Sequence, residues 1–145
     1  MTTRQRPLTE QNKALIRRFT EEHDKRKTLP DEMCAPGYTL HFQGNPPMDL
    51  KSTKQLVEMM YAAIPDAKHT IEDVIAEGDK VVVRLTIRGT HKGDLMGIAP
   101  TGKQVTMSGI DILRISGGKV AEDWFVFDQM GLMQQLGVIP QSGQG

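Results

Sequence analysis

The chain has 145 residues, 38% of them hydrophobic, enough for one domain that buries roughly 70% of its unfolded surface. Eighteen basic residues cancel eighteen acidic ones. That balance argues against a general nucleic-acid binder, which needs a basic face to displace counterions, and against a polybasic membrane anchor. A single cysteine, Cys34, excludes an internal disulfide framework and a Cys-based zinc cluster. The first residues hold no apolar stretch of the kind a signal peptide carries. The longest apolar run, Met59 to Ile64, is far too short to span a membrane. A single cytoplasmic domain over residues 1–145 is expected, with its core at about 9–140 and loose ends at 1–8 and 141–145.

In chain order, Thr9 is the expected N-cap of a first helix, with Leu15, Ile16 and Phe19 on its apolar face. The helix should fade in the charged stretch from Glu21 to Lys27, and a short turn should follow at Pro30–Met33. Tyr38–Phe42 reads as a strand, broken by Gly44-Asn45-Pro46-Pro47. Ser52, with Gln55 three residues on, forms a capping box for a second helix. Leu56, Val57, Met60 and Ile64 should be buried along it, with Met59 and Met60 as core.

The second half reads as β. His69–Glu77 and Lys80–His91 form one pair around Gly78-Asp79, rich in Val and Ile. Gln104–Ile115 and Lys119–Phe127 form another around Ser116-Gly117-Gly118. A last helix has Asp128 as N-cap, Leu132, Met133 and Leu136 buried, and Gly137 at its C-terminal end. Helices followed by successive antiparallel strands predict an α+β fold, a curved antiparallel sheet wrapped on helices.

Gly97-Ile98-Ala99-Pro100-Thr101-Gly102-Lys103 nearly matches a phosphate-binding loop. It fails on two points: Gln104 stands where Ser or Thr should hold magnesium, and a strand follows where a helix is required. The segment reads as an inter-strand loop. His23, His41, His69 and His91 show no HxH or HxxxH spacing, so no metal site is expected. His23 and His69 read as surface or satisfied interior residues. His41 closes a short strand at the edge of an expected cavity, and His91 ends a long one. Cys34 reads as inert packing.

Asp111 is the most informative residue. Val105, Met107, Gly109, Leu113 and Ile115 share its strand face and are all apolar or glycine. A carboxylate there must be hydrogen-bonded, protonated or functional. Its partner depends on the hairpin. A two-residue Gly117-Gly118 turn sets Asp111 opposite Trp124. A three-residue loop sets it opposite Asp123, with Gly109 opposite Phe125 and Met107 opposite Phe127. In the second register two carboxyls share one apolar face, an arrangement that persists when one keeps its proton. The opposite face carries Ile110, Ile112, Trp124 and Val126, an outward patch suited to a second copy of the chain.

The ordered set of Thr90-His91-Lys92-Gly93, Met96–Lys103, Ile112–Ile115, Gly118-Lys119-Val120, Glu122-Asp123-Trp124 and Gln135-Leu136-Gly137 resembles the SnoaL-like polyketide (ester) cyclases, over about residues 10–140. The resemblance implies the nuclear-transport-factor-2-like fold, a cone of curved sheet and helices around a pocket, usually dimeric. It implies cofactor-free acid/base chemistry, such as aldol-type cyclisation, isomerisation or lyase chemistry on a small apolar carbonyl compound. Aligned on the hairpin, the catalytic aspartate of that family falls on Phe125, while other polar positions fall on Asp111, Asp123 and near His41. The family pattern favours the three-residue register. The related epoxide hydrolases use an Arg-x-Asp strand spacing, which Gly109 before Asp111 does not provide.

The expected catalytic set is therefore Asp111, Asp123 and His41, with no cofactor and no metal. Phe125, Phe127, Met107 and Phe42 are expected to contact a small apolar or aromatic ligand. His91, Trp124 and Tyr38 complete that set. Partners are limited to such a ligand and a homodimer through the sheet, without nucleic acid or membrane. Because Phe125 replaces the family's aspartate, a non-catalytic ligand-binding or dimerisation module is the alternative.

Overall fold

The computed structural model describes residues 6–140; of the loose ends expected at 1–8 and 141–145, residues 1–5 and 141–145 lie outside them, and Leu8 is already helical. Helix α1 spans Leu8–Arg26, a short 3-10 turn Asp31–Met33, strand β1 Cys34–Phe42 and helix α2 Leu50–Ala63. Then follow β2 Lys68–Glu77, β3 Lys80–Thr90, β4 Gln104–Ser116, β5 Lys119–Phe127 and helix α3 Gln129–Gln135. The strands form one sheet in the order β1-β5-β4-β3-β2.

Helix α1 begins one residue before the expected Thr9 cap, because Pro7 sets the entry and Gln11 N donates to Pro7 O at 3.1 Å. It does not fade after Glu21. An Arg26–Glu22 pair at 2.8 Å supports the last turn, and the helix ends only where Lys27 turns left-handed at φ 55°. The second helix also starts early. Asp49, not Ser52, is its N-cap, and its carboxylate accepts from Ser52 N at 2.8 Å. Asp128 caps α3 as expected and accepts from Gly131 N at 2.8 Å.

The expected all-antiparallel sheet is in fact mixed. β2 through β5 form an antiparallel meander, but β1 runs parallel to β5. Hairpin connections fix antiparallel pairing only between neighbours in sequence; α2 and three strands separate β1 from β5. β1 is also longer than expected, starting at Cys34, with a register break before Thr39 near Gly37.

Neither anticipated hairpin register occurs. Gly117 and Gly118, at φ 57° and 75°, make a two-residue turn that pairs Ser116 with Lys119. The ladder then skips one residue: Ile115 faces Val120, but Arg114 faces Glu122, leaving Ala121 as a bulge. Asp111 therefore faces Phe125, Leu113 faces Asp123, and Gly109 faces Phe127. The bulge restores the parity that the shorter turn would have lost. Asp123, Phe125 and Phe127 point to the same side as Asp111, as the three-residue register required.

Helix α1 packs on β2 and β3, and α2 on β1. Ile16, Phe19, Tyr38, Val83 and Leu113 join in one buried cluster, and Tyr61, Ile64, Ile87, Val105 and Leu132 in a second. Residues from all five strands and all three helices line one cavity, which requires the sheet to curl around them. Among the described residues no helix is long and apolar enough to cross a membrane.

Candidate active site

The cavity has a volume of about 610 Å³. Leu56, Val57 and Met60 of α2 and Ile64 just after it line it, so the first three are half-buried rather than core. Met59, expected as core, is 67% exposed at the rim. One wall is a panel of near-parallel rings: Phe42, Phe125 and Phe127 lie with centroids 5.8 to 6.1 Å apart. Gly109 makes room for this panel. A Cβ there would stand 3.0 Å from the Phe125 ring and 2.9 Å from Val126 O.

The Asp111 and Asp123 carboxyls line the same apolar space and are hydrogen-bonded to each other. Burial is the largest influence on both and pushes both above the ordinary carboxylate range; the Asp123 charge lifts Asp111 further, well above that range. The pair thus retains one proton shared between the two carboxyls. Tyr38 adds a longer O–H contact to Asp123 Oδ2 at 3.4 Å. Burial, then the Asp123 charge, raise the Tyr38 pKa, so the phenol stays a donor. Asp111 Oδ1 and Asp123 Oδ1 remain without a hydrogen-bond partner among the described residues.

Met107, Tyr38, Phe42, Phe125 and Phe127 line the cavity with the two acids. His41 and Trp124 do not. They pair across β1 and β5 on the outer face, where their rings stack at 5.2 Å. His41 Nε2 lies 2.6 Å from Glu122, which Arg114 also contacts at 3.2 Å. The strand alternation that sends Leu40 and Phe42 inward sends His41 outward. His91 is also absent from the cavity wall. It is fully buried just beyond β3, where Thr101 N donates to its Nδ1 at 3.2 Å. It fastens the 92–103 loop, whose Leu95, Met96 and Gly97 do reach the cavity. Cys34 is buried, and burial pushes its thiol up to about 12, in keeping with inert packing.

Sequence reasoning missed a second polar group. His23 and Asp24 of α1, Tyr61 of α2 and His69 of β2 are joined by short hydrogen bonds. The spacing Ile16, Thr20, His23 sets His23 on the apolar face of α1, and Tyr61 follows Val57 by one turn; those positions were the available signal. Donor atoms of His23, Asp24 and His69 fall within 4.8 Å of one another. Both Asp24 oxygens already accept hydrogen bonds, from Tyr61 and His69, so the cluster reads as a hydrogen-bonded relay.

The profile of the SnoaL-like polyketide cyclases matches residues 14–136. The chain belongs to this family. Solved structures agree. AclR of Streptomyces galilaeus, described as a candidate hydroxylase, is 28% identical with a TM-score of 0.84, covering 94% of this chain and 87% of its own. A candidate polyketide cyclase of Acidithiobacillus ferrooxidans is 31% identical with a TM-score of 0.79, over 92% and 99% of the two chains. IdmH of Streptomyces antibioticus, also a candidate cyclase, is 26% identical with a TM-score of 0.72, over 90% and 99%. No curated protein is significantly similar. A likeness at 15% identity to a protein with a ketosteroid isomerase-like fold extends the match of architecture alone. The SnoaL-like chain thus carries the α+β cone of its family.

Proposed function

We propose that the protein is a cofactor-free acid/base enzyme acting on a small apolar carbonyl compound held in the cavity. The observation that carries this reading is the buried carboxyl pair Asp111–Asp123 in a mainly apolar enclosure. The ionised carboxyl takes a proton from carbon next to the carbonyl. The C–H electron pair moves into an enolate, which either regains the proton at another position or attacks a second carbonyl carbon, whose oxygen then takes the proton. A carboxyl whose pKa is raised by burial is suited to such a step near neutral pH. The Phe42–Phe125–Phe127 panel supplies a flat apolar surface for the ligand. The same reading pairs two copies of the chain through the outer face, where Ile110 and Val126 oppose each other at 47% and 50% exposure.

The test is exchange of the α-protons of 2-tetralone in D₂O, followed by NMR. The wild type should accelerate it, and Asp111→Asn should lower the acceleration by about 100-fold while keeping the native circular dichroism. Binding of the ketone without exchange would instead favour the ligand-binding module that Phe125, in place of the family's aspartate, suggests.

A further inference from the structure

When its histidines are neutral, the His23–Asp24–Tyr61–His69 cluster offers hydrogen-bond acceptors only. Tyr61 has one proton and gives it to Asp24 Oδ1 at 2.7 Å. The 2.6 Å contact between Tyr61 Oη and His23 Nδ1 must therefore be donated by His23. His69 Nδ1 likewise donates to Asp24 Oδ1 at 2.6 Å, and the backbone N–H of His69 donates to Asp24 Oδ2 at 2.7 Å. Both rings spend their Nδ1–H inside the cluster. In the neutral rings each Nε2 then carries a lone pair. Burial, the largest influence on His23, holds that ring neutral by lowering its pKa to about 3.

Both histidines line the cavity. His69 pairs with Ile87, which also lines it, so the two side chains share the inner face. Among the described residues neither Nε2 has a hydrogen-bond partner, and neither is among the sealed, unpartnered polar atoms. The ring centroids are 5.0 Å apart. A carbonyl or ether placed here would meet two lone pairs. A charged donor would have to shed its water in a mainly apolar enclosure.

We propose that this end of the cavity is an acceptor-only subsite for a hydroxyl group of the ligand, a phenol or alcohol donating to His69 Nε2 beside His23 Nε2. This deepens the reading of the cavity as a ligand site: the substrate bears a hydroxyl as well as a carbonyl. Asp24 and Tyr61 act through the histidines by fixing their tautomers.

The experiment compares 2-naphthol with 2-methoxynaphthalene, which keeps the rings but loses the donor, by calorimetric titration of the full chain. Naphthol should bind at least tenfold more tightly. His69→Leu should remove that preference and leave the methoxy compound unchanged, while Asp111→Asn should retain it. If His69→Leu does not fold, ¹⁵N spectra of the wild-type imidazoles decide, since both rings should be protonated at Nδ1 and bare at Nε2. Equal binding of the two probes by the wild type would overturn the hydroxyl subsite while the cavity reading stands. Binding of neither probe would overturn both. Loss of the preference on adding EDTA would assign the nitrogens to a metal ion and overturn the proposal.

Discussion

At the scale of single residues, Asp111 sets a conflict between stability and chemistry. Its folded-state pKa lies well above its ordinary value of 3.8, so folding favours the protonated form. The unfolded chain ionises first as pH rises, and wild-type stability declines from about pH 4 until the folded-state pKa is passed. Each unit of that upward displacement is worth about 1.4 kcal/mol. Asparagine is neutral throughout. The stability gain of Asp111→Asn should therefore grow between pH 4 and pH 7 in thermal unfolding. A constant difference between variant and wild type would show that the buried carboxyl ionises as freely as in water. The prominence of Asp111 was legible from alternation, because one carboxylate on an apolar strand face demands an explanation. His41 misled for the same reason: its neighbours Leu40 and Phe42 face the cavity, and alternation turns His41 away.

At the scale of elements, the β4–β5 hairpin holds most of the site. Gly109 is where one strand yields to the ring of the next. Gly109→Ala should cost about 1–3 kcal/mol through overpacking, because the Phe125 ring and the Val126 carbonyl both stand in the way. Chemical denaturation should show that loss, and the signals of Phe42 and Phe127 should shift with those of Phe125. A neutral substitution would mean that the panel can slide. Elements were easier to read than their ends. The apolar periodicity of α1 and the Val/Ile content of β3 announced both, whereas Pro7 and Asp49 start their helices ahead of the expected caps through local backbone geometry. The hairpin faces were anticipated, yet the route to them was not. No residue type marks Ala121 as a bulge, and the double glycine fits either turn.

At the scale of the whole molecule, the two sides of the sheet differ in kind. The inner side encloses the cavity. The outer side presents Ile110 beside Val126 and Ile112 beside Trp124, an apolar strip next to the Arg114–Glu122–His41 network. Replacing both Ile110 and Val126 by Lys should shift sedimentation from dimer to monomer while the cavity still binds its ligand. A wild type that sediments as a monomer at every concentration would overturn the proposed pairing. The general position of the cavity followed from the sequence through family resemblance and the Asp111 face. The His23–Asp24–Tyr61–His69 cluster did not, because its members come from α1, α2 and β2 and meet only after the sheet curls.

The bulge at Ala121 decides which side of β5 faces the cavity. With the same two-residue turn and Ala121 drawn into the ladder opposite Arg114, Glu122, Trp124 and Val126 would turn inward, and Asp123, Phe125 and Phe127 outward. A slip of one residue would thus exchange the cavity floor for the contact surface, acid for acid and ring for ring, and the bulge is what holds the Phe125 side inward.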